Sequence, residues 1–228
     1  MDLQPVLQLD MTTANQLEFV FDDINEYYAG ITNYAATILK VSSTVSWDLY
    51  AVGRSSGSTA AGFWDQQIDY GNDNTNAIDQ LPLSLLELRQ SQPNNGDDSA
   101  TGPFSDYSDS FSANSTVSAA NSLFTNSDGS ITAPTVADKY IAGHAGTGIG
   151  DFMPGGSYMT QNGTTSTTSD YYYAMDYRIL PGLPAIFPNA ASADGVTAQD
   201  IVTSNAAGKY AEPGVYTMYV QYVLLEDQ

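Results

Sequence analysis

GVYTMYVQYVLLEDQ, residues 214–228, carries the most regular strand pattern in the chain. Tyr216, Met218, Val220, Tyr222 and Leu224 fall on one face of an extended backbone, and Val215, Thr217, Tyr219, Gln221, Val223 and Leu225 on the other. Both faces are largely apolar, so this strand needs cover on two sides. A sheet stacked on a second sheet supplies that cover, and the pattern points to a β-sandwich.

The same alternation recurs upstream. In LKVSSTVSWDLYA, residues 39–51, the positions Leu39, Val41, Ser43, Val45, Trp47, Leu49 and Ala51 share one face, which reads as a single long half-buried strand. Leu7, Leu9 and Met11 alternate with polar residues, and Leu17, Phe19 and Phe21 repeat the pattern after TTANQ. LPLSLLELR shifts phase at Leu85–Leu86, as a bulged strand or a short helix would. DYYYAMDYRIL places Tyr171, Tyr173, Met175 and Tyr177 on one side. The expected fold is all-β: one antiparallel sandwich spanning 1–228, of immunoglobulin-like or jelly-roll-like type, with a few short helical turns such as VTAQDIV (196–202). Polar stretches at 90–135 and 143–169 are expected as long surface loops.

Composition narrows the partners. The chain of 228 residues has six basic and 26 acidic residues, a net charge of −20, which repels nucleic-acid phosphates and anionic lipid surfaces. No stretch has the ~20 apolar residues of a membrane span, and MDLQPVLQLD lacks the pattern of a signal peptide. There is no cysteine, hence no disulfide. With 42% hydrophobic and only 14% charged residues, sixteen tyrosines and much Ser, Thr and Asn, the expected setting is extracellular or cell-surface, as a mature exported chain.

Residues able to carry chemistry are few. AGHAGTGIGDFMPGG holds the only histidine, His144, but lacks the Gly-Lys-Ser/Thr ending of a phosphate loop, and no GxSxG elbow occurs. The expectation is a protein that is not an enzyme; a hydrolase built on the His144 loop is the remote alternative. Asp69, Asn72, Asp73 and Asn74 in DYGNDNTN are hard oxygen donors suited to calcium, or else the polar residues of a solvated loop or an Asx turn. Asp22, Asp23 and Glu26 in FDDINE, and Asp106 and Asp109 in SDYSDS, form two further carboxylate groups with the same two readings. The sequons at Asn114 and Asn162 mark exposed loops.

Trp47-Asp48-Leu49, at the end of a long alternating strand, resembles the first signature of the WxL family of bacterial cell-surface domains. The last strand resembles the second signature, a Tyr six residues before Trp-x-Leu: Tyr216 precedes Tyr222-Val223-Leu224 by that spacing, with Tyr222 in place of the tryptophan. The resemblance implies a β-sandwich with long loops and a wall-binding role. In architecture the chain also resembles pilin-type subunits that polymerise by exchanging a strand.

The donor strand is expected within residues 1–12, where Leu7, Leu9 and Met11 would fill a neighbour's groove. Tyr216, Met218, Val220 and Tyr222 are the expected subunit-contact residues of the last strand. The expected function is a self-assembling filament or pilus-type subunit. A binding module using its Tyr-rich loops for glycan or cell wall is the alternative.

Overall fold

The computed structural model describes residues 1–56, 61–71, 77–91, 107, 109–112, 120–135, 139–143, 170–184 and 210–226. Its elements in chain order are β1 (Leu7–Met11), α1 (Ile24–Ala29), β2 (Ile31–Ser43), β3 (Trp47–Arg54), β4 (Asp65–Asp69), β5 (Ala77–Ile78), a 3₁₀ turn (Leu83–Leu85), β6 (Leu86–Gln90), β7 (Tyr140–Ala142), β8 (Asp170–Ile179), β9 (Tyr210–Ala211), β10 (Gly214–Thr217) and β11 (Tyr219–Glu226).

Two sheets enclose the core. One has the order β1-β2-β8-β6 and the other β11-β3-β7, all pairs antiparallel. A short ribbon joins β4 to β10, and β5 pairs with β9 in parallel. Leu39 and Val41 of β2, Leu88 of β6 and Tyr173, Met175 and Tyr177 of β8 meet Trp47, Leu49 and Ala51 of β3 and Ile141 of β7 in one buried cluster. The Trp47 and Tyr173 rings cross edge to face with centroids 5.9 Å apart. This is an all-β antiparallel sandwich.

The long strand expected at 39–51 is two strands in different sheets. Ser43 makes the corner: its hydroxyl donates to the Val45 carbonyl at 2.6 Å and accepts the Val45 N–H at 3.0 Å. Thr44 holds the corner to the N-terminal segment, its N–H on the Val6 carbonyl and its Oγ1 accepting the Val6 N–H, both at 2.9 Å. Hydroxyl side chains thus satisfy backbone groups that a continuing ladder would have paired. The residues of the turn keep the parity of the pattern, so Leu39, Val41 and Ser43 before it and Trp47, Leu49 and Ala51 after it all face inward.

Other elements also differ from their sequence pattern. Leu17, Phe19 and Phe21 lie in irregular chain, although Phe19 and Phe21 still pack against the core. LPLSLLELR is both of its alternatives in succession, a 3₁₀ turn followed by β6. Within the stretch expected as surface loop at 90–135, Tyr107, Asn121 and Leu123 are buried. Their neighbourhood is the sandwich itself: Asn121 Nδ2 donates to the Leu88 carbonyl, and the Tyr107 hydroxyl accepts the Phe124 N–H. The helical turn expected at 196–202 lies outside the described residues, as does the loop expected at 143–169 apart from Gly143.

β2 carries a bulge between Asn33 and Thr37, where Ala35 adopts φ 47°. The left-handed backbone at an alanine is stabilised by a bond from the Ala35 N–H to Asp176 Oδ1 at 2.7 Å.

Leu49 is fully buried on the inner face and Leu225 is 41% exposed on the outer one. Leu49→Ala should lower the unfolding free energy by about 2–5 kcal/mol, and Leu225→Ala by less than about 1 kcal/mol. Urea unfolding of both variants measures the difference.

Candidate functional site: the two open strand edges

β1 and β11 end their sheets on the same margin of the sandwich and pack against each other. Among the described residues neither has a strand on its outer side. β1 pairs with β2 from Leu7↔Ser43 to Met11↔Leu39. Alternation turns Leu7 and Leu9 onto the core. Met11, expected to join them, is 42% exposed at the end of the regular ladder.

After Met11 the chain follows β2 without a regular ladder. Thr12 donates its N–H to the Ile38 carbonyl at 2.9 Å, Thr13 Oγ1 accepts the Ile38 N–H, and Asn33 Nδ2 reaches the Glu18 carbonyl. The β2 bulge at Ala35 explains the irregularity, since a strand cannot pair straight past it. Asp22, Asp23 and Glu26 then start α1 rather than hold an ion. Asp23 Oδ1 accepts the Asn25 N–H at 2.7 Å, and Glu26 Oε2 accepts the N–H groups of Asp22 and Asp23. This is a capping box.

Residues 1–34 are unusually apolar on the outside. Among the described residues, nine of the fourteen exposed large hydrophobic side chains lie there: Met1, Leu3, Val6, Met11, Leu17, Val20, Ile24, Tyr28 and Tyr34.

The last strand divides differently from the expectation that Tyr216, Met218, Val220 and Tyr222 form a subunit contact. Met218, Val220 and Tyr222 are partly buried against the chain's own core, because they share the inward parity of β11. Tyr216, on β10, belongs to the smaller cluster around Leu81 and Leu180, where its hydroxyl donates to the Glu212 carbonyl at 2.7 Å. On the outer face Val223 packs against the cluster of Tyr50, Val52 and Tyr140, whereas Tyr219 and Leu225 at the two ends are 61% and 41% exposed. β11 pairs with β3 from Tyr219↔Arg54 to Glu226↔Trp47, so the pieces Trp47-Asp48-Leu49 and Tyr222-Val223-Leu224 lie on neighbouring strands.

Polar groups link the layers. Tyr177 on β8 donates to Thr37 Oγ1 on β2 at 2.7 Å and also bonds the Tyr222 hydroxyl of the opposite sheet. Burial pushes the phenols of Tyr222 and Tyr177 above their usual range. Burial also raises Tyr140 to about 12, with the charges of Asp48 and Tyr50 adding to it.

On the outer face of β6 and β8, Glu87 stands opposite Arg178 and Arg89 opposite Asp176. Arg178 Nε donates to Glu87 Oε2 at 2.6 Å, its Nη1 reaches the Ser112 carbonyl at 2.6 Å, and its guanidinium lies 4.9 Å from the Phe111 ring centre. Glu87 and Arg178 are buried at 0% and 6% exposure. The signal was in the sequence: Glu87-Leu-Arg89 and Asp176-Tyr-Arg178 become complementary only when read antiparallel.

Of the expected calcium donors, Asp69 accepts the N–H of Gly71 at 2.6 Å, which is the Asx turn. Asn72, Asp73 and Asn74 lie outside the described residues, as do His144, Asn114 and Asn162. Among the described residues no group of three or more His, Cys, Asp or Glu side chains is placed to hold a metal ion. No protein-family model and no curated protein matches the chain.

Removing one member of the buried pair leaves its partner's charge uncompensated. Arg178→Met alone should therefore cost about 3–5 kcal/mol, and Glu87→Leu added to it should restore most of the loss in denaturant titrations. The tyrosines set the alkaline limit. Unfolded phenols ionise near pH 10 while folded Tyr140 keeps its proton to about 12, so this stability is intact below pH 10 and lost as pH rises through that interval. Melting temperature should fall across that window, and Tyr140→Phe should reduce the fall.

Proposed function

We propose that the chain is a structural subunit of an extracellular surface that assembles with itself by exchanging its N-terminal strand. The observation that carries the reading is the concentration of exposed apolar side chains in residues 1–34, around an edge strand that belongs to no hairpin. β1 reaches β2 only through the irregular residues 12–23, α1 and Gly30. The β1 place on β2 is already complementary to residues 7–11 in register, and a second copy presents the same strand.

Exchange would leave the contact chemistry nearly unchanged. Leu7 and Leu9 would be buried in a neighbour instead of at home, about 3 kcal/mol for two partly covered side chains. The balance then rests on strain in the connecting segment and on concentration. Head-to-tail exchange does not close on itself, so its product is a filament. A charge of −20 opposes close approach of copies, and salt or mild acid should favour assembly.

A glycan-binding surface module is the second reading, favoured by the exposed rings of Tyr34 and Tyr70 at 70% and 66%. The wall-binding role implied by the WxL resemblance would have to use rings other than Trp47, which is 1% exposed.

Negative-stain electron microscopy of the full chain and of a chain lacking residues 1–12 tests the proposal. The full chain should form thin filaments that shorten or vanish on truncation, and a peptide of residues 1–12 should bind the truncated chain. Filaments that survive truncation would refute strand exchange. A full chain that stays at 24.4 kDa and is retained by cell-wall glycan would favour the second reading.

A further inference from the structure

Edge strands of natural sheets are protected by charge, proline, bulges or brevity. β11 has none of these from Tyr219 to Leu225: its eight residues run in unbroken register with β3, and its one charge is the terminal Glu226. Its two ends expose Tyr219 and Leu225, three residues to either side of Tyr222. The spacing is symmetric about that residue.

We infer that the free edge of β11 docks the same edge of a second copy, antiparallel about a two-fold axis through Tyr222, joining the two β11-β3-β7 sheets into one. Opposed residues in an antiparallel ladder must point their backbone groups the same way, so a strand paired with itself matches only positions of equal parity. Centring on Tyr222 sets Tyr219 against the second copy's Leu225, Leu225 against its Tyr219, and Gln221 against its Val223. Centring on Gln221 would set Leu225 against Thr217, outside the strand, and centring on Val223 would carry Tyr219 past Glu226. Only the Tyr222 centre covers both exposed apolar side chains at once.

The second copy's Glu226 falls opposite Met218 on the inward face, so the paired ends bring no like charge against Arg54, which shares the outer face with Tyr219 and Gln221. The contact is isologous and closes as a dimer. It does not depend on exchange of β1.

The absence of cysteine gives a clean test. The full chain carrying Tyr219→Cys and Leu225→Cys together should form a covalent dimer of twice 24.4 kDa under mild oxidation, since directly opposed residues stand within disulfide reach. Either single variant should not, because its two thiols would lie six residues apart along the ladder. Tyr219→Lys with Leu225→Lys, both at exposed positions, should abolish the dimer in sedimentation while leaving the melting curve in place. A double-cysteine chain that stays monomeric, or single variants that cross-link as readily, would overturn the proposal. Chains lacking residues 1–12 should cross-link as the full chain does, which separates this contact from strand exchange.

Discussion

The corner at Ser43–Ser46 is the constraint on which the sandwich depends. It sends one chain from the first sheet to the second while keeping inward residues inward, and every larger contact follows from that parity. Trp47 can meet Tyr173 across the layers, and Leu49 can lie opposite Leu224, only because the turn conserves the phase of the pattern. The corner in turn uses hydroxyl groups where regular strands use backbone pairing.

The outer faces are closed in different ways. On β6 and β8 the four charges of Glu87, Arg89, Asp176 and Arg178 neutralise one another across the strands, beneath Phe111 and Ser112. On β3 and β7 an apolar patch is covered by residues 120–135, with the Tyr50 and Tyr140 hydroxyls donating to the Ile131 and Pro134 carbonyls. Arg178 Nε and Nη1 and the two tyrosine hydroxyls are buried with acceptors in place, which is the condition for burying them at all. Neither extends to the margin formed by β1 and β11.

That margin connects structure to the proposed roles. A strand held by one neighbour is also a strand that another copy can pair, and exposed apolar side chains occur on both, Met11 on β1 and Tyr219 and Leu225 on β11. The edges differ in kind. β1 is attached through an irregular segment and suits exchange, whereas β11 is anchored along its whole length to β3 and suits addition. One contact propagates and the other closes, so together they would pair subunits within or between filaments.

The strand pattern by itself determined that the chain is all-β, which residues share a face along 39–51 and in DYYYAMDYRIL, and that residues 214–228 carry apolar character on both faces. Period-two alternation is a local property, and burial of one face enforces it. Only the tertiary structure decided where that alternation is cut, because Ser43 and Thr44 read as ordinary strand residues until Val6 arrives to bond the corner. It also turned the acidic FDDINE run into a helix cap and made complementary charge pairs of two distant tripeptides. The terminal strand shows the division most clearly. Two apolar faces were legible in the sequence, but that the strand stands at an edge, its inner face on the core and its outer ends uncovered, is a matter of which strands neighbour it, and strand order is set by long-range packing that no local pattern records.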